Sequence, residues 1–287
     1  MTGLPVVALA GAAALFLWWF STGVLFWLAR RAPGPGAVIA GSAGVLALSL
    51  WALDQVAWRT DVPDAFLSFV AGLGAWAVIE ITFLTGVVTG PVQHACPPGL
   101  RGRQRFVAAL GTILWHELAI LAIGATMLAL TWGAPNQVGT WAFVLLMAMR
   151  ISAKLNLFLG VPYPPSTLLP PPLAHLDSYF RTGPFTLLLP VVVTTATALA
   201  TLIAWHAADP AVDAFQAASH ALFWTLLVLG IVEHWFLILP VREGALWAWF
   251  TGLPARGSPP AREIATAAGA PAAQAPPYVA SADGGRA

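Results

Sequence analysis

Eight ionisable side chains sit within stretches otherwise apolar enough to lie in lipid: Glu80, His116, Glu117, Arg150, Lys154, His220, Glu233 and His234. An ionisable group in hydrocarbon costs at least about 2.5 to 3.5 kcal/mol on insertion scales, so each needs a partner, a cavity or a function. Their types and spacing admit several chemistries. Arg150 and Lys154 are four apart and share a helix face, where they can meet Glu80, Glu117 or Glu233 in an ion-pair network that fixes helix register. The pairs His116-Glu117 and Glu233-His234 carry imidazole and carboxylate, the donors used for iron, manganese or zinc. Adjacent residues diverge by about 100° around a helix and no Glu-x-x-His occurs, so a metal site is the weaker reading. One imidazole in an apolar pocket suffices as an axial ligand to a tetrapyrrole, and His116, His220 and His234 are the candidates. Proton or substrate translocation through the same layer is a further option.

Soluble-enzyme signatures are missing. The chain has no Walker lysine motif, no His-Glu-x-x-His, no Gly-x-Ser-x-Gly and no dinucleotide fingerprint, so no catalytic residue is assigned. The single cysteine, Cys96, excludes a disulfide framework and a thiolate cluster drawn from one chain. A net charge of +1 leaves no large basic surface for nucleic acid.

The elements that must hold these residues follow from composition. Charged residues make up 9% of the 287, against about 25% in a soluble domain, which makes lipid the solvent. The 14 tryptophans agree, because indole favours the water–lipid boundary. A hydrocarbon core about 30 Å thick needs roughly 20 apolar residues per helix. Seven segments qualify, at about 6–29, 36–57, 65–89, 106–132, 140–160, 184–206 and 215–240, with Ala32-Pro33-Gly34-Pro35-Gly36, Cys96-Pro97-Pro98-Gly99 and Gly133-Ala134-Pro135-Asn136 in the connections. Arg30 and Arg31 follow the first apolar run rather than precede it, the reverse of a secretory signal, so that run is read as a retained helix.

The arginines test this count independently. Arg30, Arg31, Arg101, Arg103, Arg105, Arg181, Arg242, Arg256, Arg262 and Arg286 fall on one side of the seven-helix topology, and only Arg59 falls among the connections of the other. By the positive-inside rule the N-terminus is periplasmic and the C-terminus cytoplasmic. The expected fold is therefore all-α: a polytopic integral membrane bundle of about seven transmembrane helices in the cell inner (cytoplasmic or photosynthetic) membrane. Residues 1–251 form the transmembrane domain and 252–287 a disordered cytoplasmic tail rich in Ala, Gly and Pro.

Between the fifth and sixth helices, Pro162-Tyr163-Pro164-Pro165-Ser166-Thr167-Leu168-Leu169-Pro170-Pro171-Pro172 excludes regular α-helix and predicts a semi-rigid polyproline loop, serving as a spacer or a partner-docking surface. Leu246-Trp247-Ala248-Trp249-Phe250 reads as a short interfacial segment. Ala40 with Gly44, and Thr194, Thr197 and Thr201 on one face, are expected at close helix contacts.

Depth then gathers the polar residues. Counted from the inner end of each span at about 1.5 Å per residue, Glu80, His116, Glu117 and Arg150 lie roughly 15 Å deep, and Lys154, Glu233 and His234 roughly 9 to 10 Å. This is nearly one layer, in the inner half of the bundle. Its three carboxylates exceed its two fixed cations, so neutrality requires a proton, a histidinium or a metal ion.

The string Met149-Arg150-Ile151-Ser152-Ala153-Lys154-Leu155-Asn156-Leu157-Phe158-Leu159-Gly160-Val161-Pro162 resembles the signature of the photosynthetic complex assembly protein 2 (PuhE) family of phototrophic bacteria. Leu114-Trp115-His116-Glu117-Leu118, His175-Leu176-Asp177-Ser178-Tyr179-Phe180 and Glu233-His234-Trp235-Phe236-Leu237 agree. The likeness runs from the first helix to about Gly252. It implies a membrane assembly factor for reaction-centre and light-harvesting complexes, or one acting in bacteriochlorophyll supply. Reaction-centre or light-harvesting subunits, or pigment-synthesis enzymes, would be its partners beside the lipid bilayer. Bacteriochlorophyll or a precursor is the cofactor the resemblance suggests. The alternatives are a metal-dependent membrane enzyme of tetrapyrrole metabolism and a carrier of pigment or small solutes.

Overall fold

A computed structural model describes residues 3–209 and 211–240. It is all-helical, with seven helices long and apolar enough to cross a membrane: α1 (Gly3–Arg30), α2 (Pro35–Val56), α3 (Val62–Leu84), α4 (Gly102–Leu130), α5 (Val138–Leu159), α6 (Leu188–Ala207) and α7 (Ala214–Phe236). The predicted interfacial segment at Leu246–Phe250 and the predicted tail lie outside the described residues.

Helix starts follow local chemistry. Pro35 opens α2 and Pro63 lies in the first turn of α3, positions where no N–H donor is needed. Asp213 caps α7 in a capping box: its side chain accepts from the Gln216 N–H at 2.8 Å, and the Asp213 N–H donates to Gln216 Oε1 at 3.3 Å. Helix ends follow it too. The apolar run in α3 continues through Val87 and Val88, but the helix stops at Leu84, because Gly86 turns the chain at φ +77°. Gly160 ends α5 at φ +139°, after which Val161 donates to Arg181 O and accepts from Gly183 N, pairing Val161 with Thr182. That pairing ends just before the predicted start of the sixth span, and α6 starts at Leu188 instead of residue 184.

The odd-numbered helices run in one direction and the even-numbered ones return. Their N-terminal halves pack tightly around small residues: Ala10 and Ala14 of α1, Ala65 and Phe69 of α3, Ala142 of α5, and Ala218 and Leu222 of α7 are all fully buried. At the closest crossing Gly72 of α3 meets Gly139 of α5. A β-carbon at Gly72 would come within 2.4 Å of the Gly139 carbonyl oxygen, and the Gly139 N–H donates to Ser68 Oγ at 2.9 Å. At this end Asn136, fully buried, donates to both Val56 O and Asp64 O, fastening the α4–α5 connection to the α2–α3 turn. Trp58, Trp132, Trp141 and Trp205 stand exposed around the same end, as an interfacial belt does.

The expected close contacts of Ala40 with Gly44 and of the α6 threonines are not made among the described residues. Gly44 has open space where a side chain would go, and Ala40 is exposed. Thr197 and Thr201 face outward and return their hydroxyls to the carbonyls of Val193 and Thr197, while α6 packs through Ala196 and Ala200. A hydroxyl bonded to its own helix needs no partner, so a threonine stripe is compatible with a lipid face.

The proline-rich connection is also different from the open polyproline segment expected. Ser166–Leu168 and Pro171–Tyr179 form 3₁₀ turns, which tolerate proline at their first positions. Leu173, Leu176 and Tyr179 are buried, with the two leucines packed against Phe83 at the end of α3. The segment is therefore part of the packed structure.

Candidate functional site

Beyond the packed N-terminal halves, the C-terminal halves of the odd helices border an open space, with α5 and α7 still in contact through Ser152 and His234. That space is a chamber of about 600 Å³, walled by α1, α3, α4, α5 and α7 and closed on one side by the proline-rich connection. That volume lies within the usual range for small-molecule sites, about 300–1,000 Å³. Its walls are mainly aromatic and aliphatic, with Trp18, Trp76, Phe83, Phe106 and Phe158 among them. Five charged side chains also face it: Glu80, Glu117, Arg150, Lys154 and Glu233.

Four of these form two ion pairs, both made by α5. Arg150 donates through Nε to Glu80 Oε1 at 3.2 Å and through Nη2 to Oε2 at 3.1 Å, a bidentate pair with α3. Lys154 Nζ donates to Glu117 Oε1 of α4 at 2.6 Å. The four-residue spacing brings both cations to the chamber face. The polar residues near them serve other neighbours: Ser152, between the two, meets His234 of α7, and the Asn156 amide, two residues beyond Lys154, returns to Ser152 O. Thus α5 ties α3, α4 and α7 together through one short stretch.

Glu233 stands apart. It lines the chamber and shares a hydrogen bond with Trp18 of α1, and among the described residues it makes no ion pair within 4 Å.

The neighbouring histidines turn away from the chamber. His234 is 1% exposed, with Nδ1 2.7 Å from Gly230 O and Nε2 2.7 Å from Ser152 Oγ. A carbonyl only accepts, so Nδ1 carries a proton. Both ring nitrogens are engaged, and ligation through either would break a bond. His116 is 2% exposed and packs its ring on Phe83, with centroids 4.2 Å apart. Its backbone N–H donates to Thr89 O at 2.9 Å, and Val92 N donates to Gly111 O, because the α3–α4 connection folds back along α4. That approach requires Gly90, where a β-carbon would come within 2.1 Å of Gly111 O. His116 Nδ1 is buried without a hydrogen-bond partner among the described residues. His220 Nδ1 is buried in the same condition, but His220 sits far along α7 from the chamber. No group of three His, Cys, Asp or Glu side chains among the described residues is arranged to hold a metal ion.

Outside the spans, burial pushes the His175 imidazole below its usual pKa and the Tyr179 phenol above its own. Tyr179 belongs to a clamp invisible in the sequence. Arg105 donates to Tyr179 O at 2.6 Å and to Phe158 O at 3.2 Å, with its guanidinium over the Phe158 ring. It joins the start of α4 to the end of α5 and to the proline-rich connection. Its sequence signal was only that of one more arginine near a membrane boundary. Trp18 was likewise hidden among 14 tryptophans, several of which face lipid.

A family model described as protein of unknown function (DUF3623) matches residues 5–257. The chain belongs to the DUF3623 family. A relative from Rhodobacter capsulatus, described as an uncharacterized 30.4 kDa protein in the puhA 5′ region, is 37% identical over 246 residues, covering 84% of this chain and 89% of that protein. No solved structure matches the chain. Every chamber residue of this DUF3623 member, including both ion pairs and the proline-rich connection, falls inside the span of the family match.

Proposed function

We propose that this protein is a membrane factor for the assembly of photosynthetic reaction-centre and light-harvesting complexes, or for their bacteriochlorophyll supply, acting by holding a membrane-soluble ligand in the chamber. The observation that carries the ligand-holding part is the chamber itself: an aromatic-walled space within the bundle, with charged groups confined to part of its lining. The photosynthetic part is supported by the resemblance of Met149–Pro162 and by the place of the Rhodobacter capsulatus relative in the puhA 5′ region. Arg30, Arg31, Arg101, Arg103, Arg105 and Arg181 share the chamber end of the bundle, which supports a cytoplasmic position for that end and an inner-leaflet position for the chamber.

The packed N-terminal halves of the odd helices favour holding over through-passage, since Phe69, Leu222 and the alanines around them fill the path to the other end. The metal-dependent enzyme reading has no comparable support in the site. The test is mild-detergent purification from a pigment-producing host. Bacteriochlorophyll, a precursor or reaction-centre subunits should co-purify in stoichiometric amount. Colourless, solitary protein at physiological yield would sink the proposal.

A further inference from the structure

The reading of the chamber as a ligand site leads to a statement about which ligands it accepts. Four of its five charges are already neutralised in pairs, Arg150 by Glu80 and Lys154 by Glu117. Glu233 remains as a carboxyl group beside Trp18 with no ion-pair partner among the described residues. A ligand that brings another negative charge meets two cations already committed to carboxylates and a third carboxyl group, so it finds no counterion among the described residues in a low-dielectric space where an unpaired charge is costly. A ligand that brings a hydrogen-bond donor or a positive charge meets an acceptor with unused lone pairs. Arg150 adds a second polar contact. Its bonds to Glu80 use Nε and Nη2, and 41% of its side chain is accessible, so Nη1 can donate to a neutral acceptor on the same ligand. The aromatic walls, Trp76, Phe106 and Phe158, take the apolar body.

We infer that the chamber is a site for neutral or cationic amphiphiles whose polar end donates a hydrogen bond to Glu233, and that it excludes anionic amphiphiles. This rests on the chamber being a ligand site, but not on any photosynthetic role; of the pigments named above it admits only those whose carboxyl groups are esterified. The specificity residue is Glu233; Arg150 and Lys154 are held in pairs that keep the remaining charge balanced.

The experiment is native mass spectrometry of the full chain released from detergent micelles, with a long-chain amine, alcohol and carboxylate of equal length competing for binding. The amine and the alcohol should each occupy one saturable site. The carboxylate should bind at least about tenfold more weakly than the alcohol, as expected for an unpaired charge brought to a desolvated site. Glu233→Gln should remove the preference of amine over alcohol while leaving alcohol affinity within about threefold, because an amide still accepts a hydrogen bond. Ala109→Trp, which adds bulk to the chamber wall, should abolish binding of both and so separate this site from annular lipid. Carboxylate binding equal to that of the alcohol, or an amine preference that survives Glu233→Gln, would overturn the charge rule alone. Amine and alcohol binding that both survive Ala109→Trp would overturn the chamber as a ligand site, and with it the ligand-holding part of the proposed function.

Discussion

At the scale of single residues, the two α5 ion pairs are constraints more than sources of stability. Desolvating both partners offsets most of their attraction, whereas removing one partner leaves a charge in a low-dielectric setting at a cost of about 3–5 kcal/mol. The Lys154–Glu117 pair is the cleaner test, since 23% and 17% of the two side chains are accessible. Glu117→Gln alone is expected to lower stability to reversible SDS unfolding by about 3 kcal/mol. Glu117→Leu combined with Lys154→Met should recover most of that loss, and a double variant weaker than either single one would refute the account. Sequence reasoning reached these residues because a charge in an apolar run is conspicuous. It could not choose among Glu80, Glu117 and Glu233 as partners, since depth alone leaves all three within reach. Nor could it separate Glu233 from His234: adjacent on one helix, they point in different directions, one into the chamber and one toward Ser152.

At the scale of elements, the seven spans were legible because hydrophobic length is a strong signal and the loop arginines checked it independently. Close contacts were harder to locate. Small residues at four-residue spacing mark a surface that permits approach, and Gly44 meets nothing within 4 Å among the described residues. The crossing that does require it, Gly72 against Gly139, pairs glycines from α3 and α5 that have no local motif in common. Gly139→Ala should therefore be damaging, because its β-carbon would come within 2.1 Å of Ser68 O, backbone that cannot swing aside. A loss of about 2 kcal/mol or more in the same unfolding assay is expected, of the size seen for overpacking. Gly41→Ala, with nothing within 4 Å, should be neutral or slightly stabilising. Equal effects from the two would show that this crossing is not tight. The proline-rich connection was misread for a related reason: local sequence excluded α-helix there, but the burial of Leu173 and Leu176 depends on Phe83 from a distant helix.

At the scale of the whole molecule, the sidedness inferred from arginine placement can be measured with the chain's own chemistry. Cys96 is the single cysteine, is partly accessible, and lies in the α3–α4 connection beside Arg101. A membrane-impermeant maleimide should label it in inverted inner-membrane vesicles and leave it unmodified in intact spheroplasts. The opposite pattern would invert the topology. The helix number and the apolar length of the spans were readable from composition and period. The chamber was not, because its walls come from α1, α3, α4, α5 and α7 together, and the space left among them is a property of packing between helices far apart in the chain.

The convergence of polar ties on α5 also has a meaning for how the chain enters the bilayer. Synthesis delivers Glu80 and Glu117 before Arg150 and Lys154, and Glu233 and His234 last. When α5 leaves the translocon it carries two cations, each costing about 2.5 to 3.5 kcal/mol in bare lipid. The two carboxylates that relieve this cost are already resident on α3 and α4. Insertion of α5 is thus cooperative with the two preceding helices, and a nascent chain that stops after α4 holds two carboxylates in the membrane awaiting their counterions. Each of these two ion pairs joins a cation on α5 to a carboxylate on a helix synthesised before it.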